Sequence, residues 1–165
     1  MTRSLLRLSL AAALLLAAGA ARAGTATSNI SVSAQVLKTC KIATTNVAFS
    51  PYDPTSSANP TTTATVTVTF TKGTSWSVDL DGGQNTGKDT SGAFTSNRAM
   101  TDGTNFLAYD LYTDAGYTTQ WLVSGATGVS SGKAASTATP IYAKILDADP
   151  YAGTYADTVV ATVNF

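Results

Sequence analysis

Apolar and polar side chains alternate along most of this chain with a period of two, the spacing that puts successive side chains on opposite faces of a β-strand. Ile30, Val32, Ala34 and Val36 are separated by Ser31, Ser33 and Gln35, and Ile42 to Phe49 gives a shorter run with Val47 and Phe49 on one face. Pro51, Pro54 and Pro60 cannot donate to a ladder, so the stretch from Ser50 to Pro60 reads as a loop. The next strands are clearer: Ala64, Val66, Val68 and Phe70 alternate with threonines, and Trp76, Val78 and Leu80 alternate with Ser75, Ser77 and Asp79. Asp81-Gly82-Gly83-Gln84-Asn85 carries turn chemistry, and Gly87 to Asn105 is polar, with Phe94 and Met100 as expected core anchors. Leu107, Tyr109 and Leu111 predict another strand, which Asp114-Ala115-Gly116 turns toward a strand around Trp121 to Val123. Gly125 to Thr139 reads as a small-residue loop or ragged strand, Ile141, Ala143 and Ile145 as a strand, and Asp147 to Gly153 as a turn. Val159, Ala161, Val163 and Phe165 then alternate with Val160, Thr162 and Asn164 to the end of the sequence.

This pattern predicts about seven strands plus an N-terminal one, the signature of an all-β, immunoglobulin-like sandwich. Composition agrees: 29 threonines and no glutamate favour pleated surfaces over helices. Such a sandwich normally closes with one strand after the one resembling residues 158–165, so the expectation is an incomplete fold lacking its last strand. A groove with unpaired backbone edges would result, a liability that folded proteins cover. Strand addition from another chain is one solution, and the alternating apolar composition of residues 25–37 suits a donor. Thirteen extended residues reach about 44 Å, enough to run along a neighbouring sandwich. Periodicity alone leaves a second reading open, in which residues 29–37 are the first strand of their own domain.

Arg3 and Arg7, the apolar stretch Leu8 to Ala18 and the small-x-small site Ala21-Arg22-Ala23 predict a signal peptide over residues 1–23, with an apolar stretch too short to span a bilayer. The expected plan is then a signal peptide (1–23), an N-terminal arm (24–38) and one sandwich domain (39–165). Without the leader, seven basic side chains face ten acidic ones, a net charge near −3. That balance, with only 12% charged residues, excludes a charge-driven binder of nucleic acid or acidic membrane. Export into an oxidising compartment gives the one cysteine, Cys40, no partner within the chain, so it reads as a buried small apolar residue or a free thiol.

With no His and no Glu, an imidazole base and a histidine zinc site are excluded, and no catalytic arrangement, cofactor or metal is expected. Asp79 and Asp81 before Gly82 resemble a calcium loop only in part, because the later ligands and closing Glu are missing. They read as a solvated hairpin end, and Asp147 and Asp149 as another turn. Tyr112, Tyr117, Trp121, Tyr142 and Tyr151 suggest an alternative, a secreted carbohydrate-binding sandwich with a sugar-stacking surface. A further alternative is a secreted coat protein whose arm closes its own groove.

Several segments resemble the spore coat protein U family and, within it, the major subunits of archaic Csu-type chaperone–usher pili. They are the alternating arm ending at Cys40, Val47-Ala48-Phe49 to Tyr52-Asp53, Thr65 to Thr69 before Lys72-Gly73-Thr74, Val78-Asp79-Leu80-Asp81-Gly82-Gly83, Leu107 to Asp114, Pro140-Ile141-Tyr142, and Gly153-Thr154-Tyr155-Ala156-Asp157 through Val163-Asn164-Phe165. The resemblance implies an incomplete sandwich carried by a periplasmic chaperone, handed to an outer-membrane usher and polymerised with copies of itself by donor strands, for adhesion and biofilm growth. By position it implies Ile30, Val32, Ala34 and Val36 as donor side chains. Val159, Ala161, Val163 and Phe165 would line the acceptor groove that the chaperone also grips. The family usually has a second cysteine, bridged to the one matching Cys40, where this chain has Phe70.

Overall fold

A computed structural model of the chain describes residues 23–55, 58–88, 98–122, 124–146 and 150–165. The described residues fall into two units, one ending at Gln35 and a compact one from Val36 to Phe165. In the first, residues 23–35 form no strand, and Ile30 and Val32 are 87% and 88% exposed. The alternation at 29–36 therefore has no ladder partner among the described residues.

The compact unit is all-β. Its strands are β1 (Cys40–Thr44), β2 (Thr61–Phe70), β3 (Ser75–Leu80), β4 (Arg98–Thr101), β5 (Phe106–Tyr112), β6 (Ala126–Val129), β7 (Ala135–Ile145) and β8 (Ala161–Asn164). Two antiparallel sheets result, ordered β1-β2-β7-β5-β4 and β6-β3-β8. Ala64, Val66, Val68 and Phe70 of β2 and Ile141 and Ala143 of β7 pack with Trp76, Val78 and Leu80 of β3 in one core. The threonines between them on β2 stay outward, as the period of two requires. Trp121 is fully buried and donates its indole N–H to Val78 O at 3.1 Å, so the largest core side chain carries no orphaned donor.

Three sequence expectations change. The run at 42–49 is a strand only over Cys40–Thr44, and Thr45 N then bonds Thr65 O at 2.9 Å as the chain leaves the ladder toward its proline loop. No strand surrounds Trp121; residues 113–121 double back along β5, with Trp121 N on Leu111 O at 2.8 Å and a single bridge between Tyr112 and Gln120. The small-residue stretch 125–139 is largely strand. Gly128 has to be glycine-sized because a Cβ there would press on the Trp76 ring, and β7 begins at Ala135, six residues before the apolar alternation shows it. Phe94, Val123, Asp147 and Asp149 lie outside the described residues. Tyr155 OH donates to Tyr151 O at 2.8 Å, the tyrosine-corner contact typical of immunoglobulin-like sandwiches, and leads the chain into β8.

Candidate functional site

β1 and β8 each lie at the end of a sheet, so each has one edge in a ladder and one edge without a strand among the described residues. Between them, bounded by residues 44–49 on one side and 155–161 on the other, opens a groove of about 540 Å³. Its floor is the core itself: Leu80, Leu111 and Ile141 line it while belonging to the buried cluster. Val47 and Phe49 form one apolar wall, Val159 and Ala161 the other, all half-buried and packed against that cluster. The arrangement is an apolar channel with core side chains below, walled by the segments that leave β1 at Thr44 and enter β8 at Ala161.

The groove-wall residues named from sequence separate in the structure. Val159, Ala161 and Val163 pack inward, while Val160 is 54% exposed on the alternate face. Phe165 is 56% exposed, with its ring 6.0 Å from Phe70, and both it and Val163 lie beyond the lining of the groove, which Val159 and Ala161 reach. Of the arm residues, Ile30, Val32 and Ala34 are exposed, as is Val36, which falls within the compact unit and is 80% exposed.

Carboxylates fasten the wall that carries β8. Asp81 Oδ1 accepts from Val160 N at 2.9 Å, and Asp79 Oδ2 accepts from Asn164 Nδ2 at 2.9 Å. Asp157 accepts from Tyr109 OH at 2.7 Å on one oxygen and from Gln84 N at 3.0 Å on the other. Burial first, and then the Asp157 carboxylate, push the Tyr109 hydroxyl far above its ordinary range, so it remains a donor. Gly83, at φ +77°, lets the 81–85 turn close onto Asp157; a Cβ there would collide with that carboxylate. Asp79 and Asp81 are thus more than a solvated hairpin end. Their partners lie 85 and 79 residues away in sequence, where local pattern cannot reveal them.

Sequence reading missed the best-connected polar group. Arg98 and Asp110 form an ion pair at 3.1 Å with side chains 0% and 2% exposed. Arg98 also donates to Asp81 O at 2.9 Å, Leu80 O at 3.1 Å and Trp121 O at 2.7 Å, and Asp110 accepts from Gln120. Burial pushes the Asp110 carboxyl above its ordinary range, opposed by the Gln120 hydrogen bond and the Arg98 charge. The available signal was a lone aspartate inside the apolar run Phe106 to Tyr112.

Cys40 is half-buried and sits directly opposite Phe70 in the β1–β2 register; burial raises its thiol. Phe70 stacks on Trp76 at 5.6 Å and 17°. The five aromatics considered as a sugar platform do not make one surface: Trp121 is buried, Tyr112 is 8% exposed, and Tyr112, Tyr117 and Tyr142 pack edge to face.

A two-sheet immunoglobulin-like domain with an apolar groove between two sheet ends is the class that this geometry defines. The model of the Spore Coat Protein U domain matches residues 26–162, and the chain belongs to that family. No curated protein matches the sequence significantly. Among solved structures it is similar to a chain in the crystal structure of the CsuC-CsuE chaperone-tip adhesion subunit pre-assembly complex from archaic chaperone-usher Csu pili of Acinetobacter baumannii, with 24% identity and a TM-score of 0.58. The likeness covers 79% of this chain and 40% of that one, so this chain spans less than half the length of the protein it matches.

Proposed function

We propose that the chain is a non-catalytic structural subunit of a surface fibre, exported, held by a periplasmic chaperone, passed to an outer-membrane usher and assembled by donor-strand exchange for adhesion and biofilm growth. The observation that carries this reading is the groove floored by Leu80, Leu111 and Ile141 and flanked by the ends of two sheets. An arm whose Ile30 and Val32 are almost fully exposed supplies the complementary element. Ile30, Val32, Ala34 and Val36 of one copy fill the groove of the next; before assembly a chaperone strand occupies it against Val159, Ala161 and Val163. Burying four such side chains contributes on the order of 4 to 8 kcal/mol, and main-chain bonds in a dry groove slow dissociation further.

The test uses the full chain and a synthetic peptide of residues 25–37. Excess peptide should raise the thermal midpoint and stop fibre growth, since a ligand bound only to the folded state stabilises it. Val32→Asp in the chain should abolish self-assembly without changing the domain's own unfolding, because Asp would bring an unpaired charge into the groove of the neighbour. A peptide without effect on either readout, or a Val32→Asp chain that polymerises normally, overturns the reading.

A further inference from the structure

Four exposed lysines of the compact unit gather at one end, and three carboxylates, one exposed and two half-buried, gather at the other together with Lys88. Cys40, Phe70 and Ala135 are register partners at one end of β1, β2 and β7. There Lys41, Lys72 and Lys133, all exposed, line a second groove of about 530 Å³ together with the apolar faces of Val36 and Phe70. Lys38 lies just before Cys40 and is also exposed. The ten residues of β2 put the other end about 33 Å away.

At that far end, Asp81 follows the end of β3, Asp102 follows the end of β4, and Asp157 lies beyond the tyrosine corner. The three are drawn together: Asp81 Oδ1 accepts from Gly83 N at 3.0 Å, Asp157 from Gln84 N next door, and the Thr101–Ala156 bridge brings Asp102 beside the corner. Lys88 follows the same turn, and Lys144 lies 5.7 Å over the Tyr117 ring. From this acidic end projects Tyr151, 74% exposed and held by its backbone through Tyr155.

We propose that consecutive copies meet through these unlike ends, with Tyr151 of one copy seated in the groove lined by Lys41, Lys72 and Lys133 of the next, beside Asp81, Asp102 and Asp157. The inference rests on the donor-strand reading. The arm leaves the compact unit at Val36, beside the lysines, so filling a neighbour's groove brings the donor's basic end against that neighbour. Against the neighbour's basic end, lysines would face lysines; against its acidic end, they face carboxylates and an aromatic ring that accepts a cation on its face. Two different surfaces of one chain meeting this way form a heterologous contact, which extends into a filament instead of closing into a dimer. The arm supplies the hold, and the charged ends supply encounter rate and alignment.

Charge reversal on the full chain tests the junction. Lys72→Glu with Lys133→Glu should slow fibre growth about tenfold at low salt and remove most of its salt dependence, the size of a steering effect. Adding Ala152→Lys, beside Tyr151 on an exposed position, to that double variant should restore the rate, whereas Ala152→Lys alone should slow it. Growth of the double variant at the wild-type rate in low salt overturns the junction, as does failure of Ala152→Lys to rescue it. Inhibition of both chains by the 25–37 peptide separates the two readings: a peptide that stops growth while charge reversal has no effect leaves donor exchange standing and removes the junction. A peptide that stops neither chain removes both.

Discussion

The two ends of the core are sealed differently. Near the start of β4 and the middle of β5 the buried polar groups Arg98, Asp110 and Trp121 meet partners inside the domain: Arg98 reaches Asp110 and three carbonyls, and Trp121 donates to Val78. Along the groove, core side chains such as Leu80 and Ile141 line a channel walled by residues 44–49 and 155–161. The contrast teaches that the domain satisfies its buried charge from within on one side, while on the other its core side chains remain open to a groove, the feature on which the donor-strand proposal rests. An ion pair buried at 0% and 2% exposure is a poor source of net stability but a strict one for arrangement, since a wrongly packed chain leaves both charges unpaired.

The sealed side gives the largest expected effect. Arg98→Met leaves the Asp110 carboxylate buried without a counter-charge, held only by Gln120 and the Leu111 amide, and should cost about 3 to 5 kcal/mol in urea unfolding. Adding Asp110→Leu should recover only part of it, because the carbonyls of Leu80, Asp81 and Trp121 still lose their donor. Full recovery would mean that the pair, and not the carbonyl capping, carries the effect.

The β1–β2 register offers the next test. Thr71 N bonds Thr39 O at 3.2 Å, which makes Cys40 and Phe70 a non-hydrogen-bonded pair, with Cα atoms about 4.5 Å apart and within disulfide reach. Phe70→Cys should therefore oxidise to a disulfide. The oxidised form should be more stable than the reduced by about 3 to 4 kcal/mol in paired unfolding curves, while the reduced form falls below wild type for want of the stack on Trp76. No difference on adding reductant would show that the register does not bring the two positions into bonding geometry.

Open and sealed packing can be compared with one substitution type. Val78→Ala, at 0% exposure, should cost about 2 kcal/mol, since a void there cannot collapse. Val159→Ala on the half-buried groove wall should cost less than about 1 kcal/mol in the chain alone. With the 25–37 peptide bound the second cost should grow. Equal costs with and without peptide would mean that Val159 does not face the occupant.

These contrasts also show what the sequence made legible. Alternation located β2, β3, β5 and the end of the chain because their apolar faces are continuous: Val66, Val68 and Phe70 or Trp76, Val78 and Leu80 leave little choice of face. The same pattern named Val159, Ala161 and Val163 together. It left β6 and the first half of β7 undecided between loop and ragged strand, because their Ala, Thr and Ser side chains are partly solvated and owe their strand form to pairing with β3 and β2. Arg98 and the carboxylates at 79, 81 and 157 stayed hidden for another reason: a charge reads as solvent-facing until the distant chain that meets it is known. Phe165 shares the parity of Val159 and Ala161, and its ring lies 6.0 Å from Phe70, a contact between distant segments that alternation cannot show.

The smallest effect lies in the turns, away from both sides of the comparison. Amides of the 114–119 turn, Thr119 N at 2.8 Å foremost, hold the Asp114 carboxyl below its ordinary range, and Asn105 and Thr104 do the same for Asp102. A carboxyl depressed on folding contributes stability above its unfolded value near 3.9, and that contribution is lost as pH falls through the lower folded value. Asp110 has the opposite sign: its raised folded value means the folded state takes up a proton first, so acidification through that value favours folding in this one group. The thermal midpoint should therefore fall only gently from pH 5 toward pH 4 and more steeply below. Asp114→Asn keeps an acceptor oxygen but no titration, so its midpoint should start slightly below wild type at pH 5 and converge with it near pH 2.5. Parallel curves for the two proteins would show that the turn carboxylates do not carry the acid slope.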